Sequence, residues 1–412
     1  MARSFGEQVV VVASVAFLVL GLTLNEKVLA YFFTGDGSFG SGRVRIAIAA
    51  FDATMVAVAI AVFALRRTPW GPNLALLASS FLLASPVCAE AVLRTGIALG
   101  LPAFRDPWLY AGWCDDEDFW KLRYRWSDGD VWGDRLAHDP LLGWTLAAPA
   151  DDCRPCDRPV LLYGDSFMAG VEPTPAEERI PQWLARELGD GSIVDLAVPG
   201  YGLDQMLLRF RDTRESHDRP WVVVGLMTLD LDRSLLAVRD APKPYFRLTG
   251  GALELAGVPV PDDTAAWHAR HPVSIRSYLL RLLRRRLTLR GETLETEAAY
   301  LRDEKSELGR KLLEAFAAEA KEGTAGLLVV IFYPPWQLGI EGWRERFLHA
   351  ELGRLEVPFV DTKALLRESA ERNRTGVAAF YHPDPNHHLN SEGNRLVALE
   401  VARRLESARG DS

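Results

Sequence analysis

A short segment near the middle of the chain carries the residues with the most evident chemistry. Gly164-Asp165-Ser166 follows the apolar run Pro159–Tyr163, and a helical pattern begins soon after it. A serine at such a strand-to-helix turn presents its hydroxyl group as a nucleophile and its own N–H group as a donor to an oxyanion. The same residues also form a simple helix N-cap, so by themselves they are weak evidence for catalysis.

Residues that could assist such a serine follow later in the chain. The glycine loop Val198–Gly202 comes after a second apolar run and could lend another backbone N–H group. Near the carboxyl end, His382, Asp384, His387 and His388 precede the last helical segment. A nucleophile, a base and a carboxylate that orients the base form the catalytic set of covalent hydrolases. A solvated histidine-rich loop and a metal site are the alternatives, but a metal site leaves the glycine loop unexplained.

These ordered blocks resemble the SGNH/GDSL hydrolase family over most of residues 139–408. Gly164-Asp165-Ser166 is similar to the nucleophile block of that family, and Gly200 is similar to its second block. His388-Leu-Asn390-Ser-Glu-Gly393 is similar to the family's His-x-Asn-x-x-Gly ending. The resemblance implies that Ser166 is the nucleophile and that the N–H groups of Ser166 and Gly200 receive the oxyanion. Three further stretches resemble one bacterial, membrane-anchored branch: 141–144, 197–205 and 243–246.

The sequence departs from the family pattern at the third block, where the strand should end in Gly-x-Asn-Asp. Leu229 occupies the place of the asparagine that donates to the oxyanion, and a leucine side chain cannot donate. Losing one such donor typically lowers the rate by about 10²–10³. Thr228 is a candidate replacement, and an oxyanion hole built from backbone N–H groups alone is the other possibility.

The histidine block has a conflict of register. The Asp-x-x-His spacing of the family selects Asp384 with His387, whereas the downstream Asn390 and Gly393 select His388. Because the start of the last helix fixes the position of His388, we predict His388 as the base and Asp384 as the carboxylate that orients it. The predicted catalytic residues are therefore Ser166, Asp384 and His388, with Ser166, Gly200 and Thr228 at the oxyanion hole. The prediction includes neither a cofactor nor a metal ion.

Apolar runs alternate with helical patterns from about residue 158 onward. Continuous apolar strands that alternate with helices indicate a parallel sheet covered on both faces, and ligands bind such sheets beyond the carboxyl ends of the strands. The resemblance implies the flavodoxin-like three-layer α/β sandwich of the SGNH hydrolases. The predicted strands are 159–163, 192–197, 221–226, 326–332 and 357–361, and the predicted helices are 177–188, 203–215, 301–321, 341–352 and 391–405.

The first hundred residues contain three apolar runs, Val9–Leu24, Ile46–Leu65 and Asn73–Ala89. A helix of roughly 20 apolar residues crosses the hydrocarbon core of a bilayer, so we predict three transmembrane helices. A cleaved signal peptide and buried helices of a soluble protein are the alternatives. Arg66 and Arg67 favour a cytoplasmic loop between the second and third helices, which places the amino terminus inside and everything after about Arg94 outside. Basic residues in the first loop favour the opposite orientation.

We divide the chain into a membrane region at 1–104, an aromatic-rich connector at 105–157, and a hydrolase-like domain at 158–412 with an insertion near 240–300. Within the insertion, the sequence pattern predicts a hairpin at 245–255 and a basic amphipathic helix at 275–290. That helix could lie on an anionic membrane, face a polyanionic substrate or act as a lid. Cys153-Arg-Pro-Cys156 predicts a structural disulfide, within the pair or with Cys114, which suits an oxidising compartment.

The charge balance restricts the class of partner. The chain has 47 Lys and Arg residues against 55 Asp and Glu residues, a net charge of −8, which argues against general nucleic-acid binding. We predict a multi-pass protein of the inner or plasma membrane whose periplasmic domain is a serine esterase for O-acyl esters of envelope glycans or lipids. The alternatives are an O-acetyltransferase that passes the acyl group to a glycan and a catalytically weakened carbohydrate-binding or scaffold module.

Overall fold

The computed structural model describes residues 4–33, 42–127, 136–146, 159–188, 193–288, 304–383 and 387–410. The chain forms two compact units. The first unit consists of Met1–Gly112 and Val273–Arg302, and the second consists of Trp113–Pro272 and Asp303–Ser412. The division differs from the sequence-based domains, because most of the described connector residues fold with the second unit and residues 273–288 fold with the first.

Apolar helices dominate the first unit. Three of them are long and apolar enough to cross a membrane, as predicted: Phe5–Thr23, Arg45–Arg67 and Gly71–Ala98. Val10, Phe17 and Val62 are buried where these helices pack together, whereas other apolar side chains point away from the unit. The helices of this unit are α1 (Phe5–Thr23), α2 (Glu26–Phe33), α3 (Gly42–Ala64) and α4 (Gly71–Ala98).

The second unit is built on a five-stranded sheet in which every described pair of neighbouring strands is parallel. Its strands are β3 (Val160–Gly164), β4 (Ile193–Asp195), β5 (Trp221–Met227), β10 (Gly326–Phe332) and β11 (Phe359–Asp361). The spatial order is β11-β10-β5-β3-β4. When the five strands are numbered 1 to 5 along the chain, this order is 2-1-3-4-5 read from the other edge, which is the flavodoxin-like arrangement. Its topological switch point lies between β3 and β5.

The composition of the strands explains why the sheet lies at the centre of the unit. All seven residues of β5 and all five of β3 are buried, which is what continuous apolar strands in a parallel sheet require. Helices cover both faces, so the predicted three-layer α/β fold is confirmed. The helices around the sheet are α6 (Ser166–Ala169), α7 (Ile180–Leu188), α8 (Leu203–Thr213), α12 (Glu304–Gly323), α13 (Trp343–Arg354), α14 (Thr362–Asn373) and α15 (Ser391–Gly410).

Smaller elements surround this core. Three antiparallel hairpins are present in the described residues, and the one predicted around Gly250-Gly251 is β8 paired with β9. The hairpin strands are β1 (Leu136–Asp139), β2 (Gly143–Leu146), β6 (Val238–Arg239), β7 (Ala241–Pro242), β8 (Tyr245–Thr249) and β9 (Ala252–Ala256). The remaining described helices of this unit are α5 (Glu117–Trp126), α9 (Asp230–Arg233) and α10 (Thr264–Arg270), and the first unit also contains α11 (Tyr278–Thr288).

Candidate active site

The turn between β3 and α6 places Ser166 at the carboxyl edge of the sheet. Asp165 is the N-cap of α6, and its Oδ1 accepts a hydrogen bond of 2.8 Å from the Phe167 N–H group. Ser166 is therefore the first residue of the helix, and its own N–H group has no acceptor within the helix. The N-cap interpretation and the nucleophile interpretation of these residues are thus compatible, because the cap orients the serine.

The structure brings His388 to this serine across 222 residues of sequence. The Nε2 atom of His388 lies 2.8 Å from the Oγ atom of Ser166. The imidazole ring also packs against Phe167, with ring centroids 4.9 Å apart. A hydrogen bond of this length is short enough for the hydroxyl proton to pass from Ser166 to His388.

The start of α15 fixes the backbone that carries His388. Asn390 Oδ1 accepts a hydrogen bond of 3.0 Å from the Gly393 N–H group, so Asn390 acts as the cap of α15. The Asn390 N–H group in turn donates to the Phe380 carbonyl at 3.0 Å. A Cβ atom at position 393 would collide with that same carbonyl, which explains why glycine is needed there. The His-x-Asn-x-x-Gly pattern therefore describes a helix start that holds the histidine in place.

The other histidines of the block have different neighbours. His387 adopts a φ of 52° and its ring lies 5.6 Å from the ring of Trp336. His382 Nε2 is 2.7 Å from Thr174 Oγ1. The histidines of the block therefore face different partners instead of converging on one point. Asp384 lies outside the described residues, so its predicted role as orienting carboxylate stays a prediction.

The loop of Gly200 lies beside the end of β3. The Val198 N–H group donates to the Gly164 carbonyl at 3.0 Å, which ties this loop to the strand that leads to Ser166. Gly200 adopts a φ of 90°, and a Cβ atom there would collide with the Arg239 guanidinium. The hydrogen bonds between described residues use neither the N–H group of Ser166 nor that of Gly200. Both N–H groups are consequently available to a ligand.

The hairpin of β1 and β2 holds the glycine loop from outside the sheet. The buried Trp144 donates its Nε1–H to the Pro199 carbonyl at 3.1 Å, and its own carbonyl accepts from the Tyr201 hydroxyl. Gln205 Nε2 donates to the Leu142 carbonyl at 2.8 Å. Two of the stretches that resemble the membrane-anchored branch are therefore joined to each other, and together they position the candidate oxyanion donor.

A buried ion cluster lies beneath the nucleophile turn. The Arg233 guanidinium donates to Asp165 Oδ2 at 2.8 Å and to Asp230 Oδ1 at 2.6 Å. All three side chains are almost fully buried. Burial lowers the pKa of Arg233, but the carboxylates of Asp230 and Asp165 more than offset this and hold it above its usual value. Burial also raises the pKa of Asp230, Asp165 raises it further, and the Arg233 cation opposes that rise.

The sequence analysis missed the role of Arg233. The residue stands at the end of α9, three residues after Asp230, and this spacing is the local signal for one of its two ion pairs. The contact with Asp165 spans 68 residues and has no local signal. The cluster connects the end of β5 to the helix that carries Ser166.

A second arginine lies beneath the glycine loop. The Arg239 guanidinium occupies the space that a side chain at Gly200 would need, and it also donates to Asp240 at 3.0 Å. Burial lowers the pKa of Arg239 to about 10, and the neighbouring Arg233 cation contributes to that decrease. The Arg239 guanidinium therefore lies directly against Gly200 and is itself paired with Asp240.

Thr228, the predicted replacement for the missing asparagine, uses both of its donors elsewhere. Its hydroxyl group donates to Gln337 Oε1 at 2.6 Å, and its N–H group donates to the Phe332 carbonyl at 3.1 Å. Thr228 would have to leave Gln337 before its hydroxyl group could reach an oxyanion. The N–H groups of Ser166 and Gly200 are therefore the simpler candidates for donors to an oxyanion.

Two further predictions concern cysteines and metals. Among the described residues Cys88 and Cys114 are free thiols, and Cys153 and Cys156 lie outside them, so the predicted disulfide stays a prediction.

One described group, Glu345, His349 and Asp361, brings three possible ligand atoms within 4.8 Å of one another. Lys363 Nζ already pairs with Glu345 at 2.5 Å, and His349 Nε2 lies 3.0 Å from Asp361, so both carboxylates have partners within the protein.

Comparisons with known proteins place these motifs beside solved structures. No family model and no curated protein matches the chain. A lipolytic protein of the G-D-S-L family from Veillonella parvula DSM 2008 has 10% sequence identity, covers 60% of this chain and 97% of its own, and gives a TM-score of 0.35. TesA has 14% identity with 60% and 97% coverage and a TM-score of 0.35. Axe2, an acetylxylan esterase from Geobacillus stearothermophilus, has 13% identity with 60% and 93% coverage and a TM-score of 0.35.

The solved structures that this chain resembles thus include proteins of the family that the motifs predicted. The likeness concerns the fold alone. The flavodoxin-like strand order of the sheet itself agrees with the fold that the sequence resemblance implied.

Proposed function

We propose that this protein is a membrane-anchored serine esterase that hydrolyses O-acyl esters. One observation carries the proposal: His388 Nε2 lies 2.8 Å from Ser166 Oγ, within reach of the hydroxyl proton. Ser166 follows β3 at the switch point of a parallel sheet, which is where such sheets bind ligands. The nucleophile is thus paired with a base at the edge of the sheet where a substrate is expected.

In the proposed reaction, Ser166 Oγ attacks the ester carbonyl carbon while His388 takes the hydroxyl proton. The carbonyl oxygen becomes an oxyanion, which accepts hydrogen bonds from the N–H groups of Ser166 and Gly200. His388 then gives its proton to the alcohol, which leaves behind an acyl-serine ester. Water attacks this ester as His388 takes one of its protons, and His388 then returns that proton to Ser166 Oγ as the carboxylic acid leaves.

We assign the orienting carboxylate of this reaction to Asp384, on the basis of its position four residues before His388. Asp165 is nearer to Ser166 in sequence, but its two oxygens accept from the Phe167 N–H group and from Arg233. A carboxylate engaged in this way caps the helix and does not orient an imidazole. The proposed triad is therefore Ser166, His388 and Asp384.

The proposed substrates are acyl esters of envelope glycans or lipids. Three helices suited to a membrane precede the catalytic unit in the chain, and they would keep it beside the envelope. We further propose that this unit lies on the periplasmic side of an inner or plasma membrane. No step of the proposed reaction requires a cofactor.

The test is covalent labelling with an alkyl fluorophosphonate, which phosphonylates activated serines. The full chain in detergent micelles is compared with Ser166→Ala and with Ser407→Ala, a control at an exposed serine of α15. We expect labelling and acetyl-ester turnover in the parent and in Ser407→Ala, and neither in Ser166→Ala. A folded parent protein that does not react would refute the esterase proposal and favour a binding or scaffold module.

Transfer and hydrolysis are distinguished by adding a glycan acceptor to the same assay. A hydrolase releases the acyl group to water at the same rate with or without the acceptor. An O-acetyltransferase would place the acyl group on the glycan and release correspondingly less free acid. Hydrolysis that is unaffected by the glycan is the result that we expect.

A further inference from the structure

The basic helix α11 folds with the membrane helices instead of with the catalytic unit. Residues Val273–Arg302 belong to the first unit, although the chain enters and leaves them from the second. The segment 273–290 contains six arginines and no acidic residue. This composition distinguishes α11 from the other described helices and calls for a physical explanation.

Glu90 of α4 caps the amino end of α11. Its carboxylate accepts hydrogen bonds from the Leu279 N–H group at 2.8 Å, the Tyr278 N–H group at 3.1 Å and the Ser277 hydroxyl group at 3.0 Å. Arg94, one turn later in α4, donates to the Arg276 carbonyl at 2.6 Å. A carboxylate at a helix amino end satisfies free N–H groups and complements the helix dipole. These contacts fix α11 to one level of α4.

At that level α4 carries Glu90, its first charged side chain. Phe81 and Val87 are 75% and 69% exposed, as expected of side chains that face lipid. Glu90 follows Val87 by three residues, which is about 4.5 Å along a helix. The amino end of α11 is therefore tied to the point where the hydrocarbon region would give way to headgroups.

The outward face of α11 combines apolar and cationic side chains. Leu280 and Leu283 are 56% and 48% exposed and lie one turn apart on the same face. Arg284 and Arg286 are exposed beside them. A helix with exposed leucines flanked by arginines is typical of helices that lie in the plane of a membrane interface.

We propose that α11 lies in the headgroup layer of the bilayer and binds anionic lipids. Leu280 and Leu283 enter the boundary of the acyl chains, and the arginines bind lipid phosphate groups. The attachment of α11 to α4 at Glu90 and the excess of positive charge both support this partner. The inference does not depend on the esterase chemistry.

The experiment places a benzophenone amino acid at position 283 in the full chain, reconstituted in nanodiscs. The discs contain phosphatidylcholine alone or a mixture of phosphatidylcholine and phosphatidylglycerol. After irradiation, mass spectrometry of the peptide identifies the lipid that has been captured. The matched control carries the same group at position 81, in the middle of α4.

We expect lipid adducts at both positions, with a several-fold preference for phosphatidylglycerol at position 283 only. The double variant Arg284→Gln, Arg286→Gln should lose this preference while the adducts at position 81 stay unchanged. Inorganic phosphate should leave the preference intact; if it abolishes the preference, the arginines bind free anions. Absence of lipid adducts at position 283, or adducts that form equally with both lipids, would overturn the proposal. Protection of position 283 by a soluble polyanionic glycan would instead assign α11 to substrate binding.

Discussion

Replacing Arg233 with methionine tests the buried ion cluster beneath the nucleophile. The side chain keeps most of its length but loses its charge, so Asp165 and Asp230 remain buried without their shared cation. Breaking a buried ion pair from one side costs about 3–5 kcal/mol. In a domain of this size each kcal/mol lowers the melting temperature by about 2–4 °C, so the expected decrease is about 6–20 °C.

The pH dependence of this loss has a definite sign. Burial raises the pKa of Asp230, and Arg233 is the cation that opposes the rise. Without Arg233 the pKa of this carboxyl group rises further above its value in the unfolded chain. A group with a raised pKa in the folded state contributes stability at low pH and loses it as pH rises through that pKa. The Arg233→Met variant should therefore be much less stable than the parent near pH 8 and closer to it near about pH 5.

Thermal unfolding of the full chain in detergent, followed by tryptophan fluorescence, measures both effects. Arg395→Met is the matched control, because the pair of Arg395 with Glu392 is half-exposed and such pairs contribute about 0–1 kcal/mol. Adding Asp230→Asn to Arg233→Met removes one of the two stranded charges and should recover part of the loss near about pH 8. A decrease as small as that of the control, or one that is equal at both pH values, would refute the reasoning.

Three further changes test the surroundings of the site. Gly200→Ala should lower turnover at least tenfold, because the new Cβ atom meets Arg239 and φ is 90°; unchanged turnover would remove Gly200 from the oxyanion hole. Trp144→Phe keeps a buried ring but leaves the Pro199 carbonyl without its donor, at a cost of about 1–3 kcal/mol. We expect kcat to fall while KM stays the same, and a change confined to KM would contradict a positioning role. Burial raises the pKa of Asp195 to about 7, so the stability that this carboxyl group contributes at low pH is lost as pH rises towards 7. Asp195→Asn should therefore raise the melting temperature by a few degrees near about pH 8 and leave it unchanged near about pH 4. Equal shifts at both pH values would be inconsistent with this pKa.

The fold was predictable from the sequence wherever its signal is local. Each predicted strand of the main sheet overlaps an observed strand, because continuous apolar runs are what a parallel sheet buries. The boundaries are less accurate: α7 begins at Ile180, three residues after the predicted start, because Ala176–Glu178 forms a separate turn. The helix Thr362–Asn373 was not predicted, since its polar composition gives only a weak apolar stripe.

The sequence alone determined which residue types surround the candidate site and in what order. Ser166, Gly200 and His388 each follow or precede an element with a clear pattern, and that is sufficient to propose them. It also determined that three helices could cross a membrane, because length and apolarity are local properties. Local patterns can do this because each depends on a few consecutive residues.

Only the tertiary structure decided which of these residues meet. His388 and not His387 lies against Ser166, although the two are adjacent and one spacing rule favoured the other. Arg233 pairs with Asp165, the residue before Ser166, and α11 folds with the apolar helices of the first unit through Glu90. Such contacts join residues tens to hundreds of positions apart, so they depend on how the packed elements bring side chains together and leave no periodic trace in the sequence.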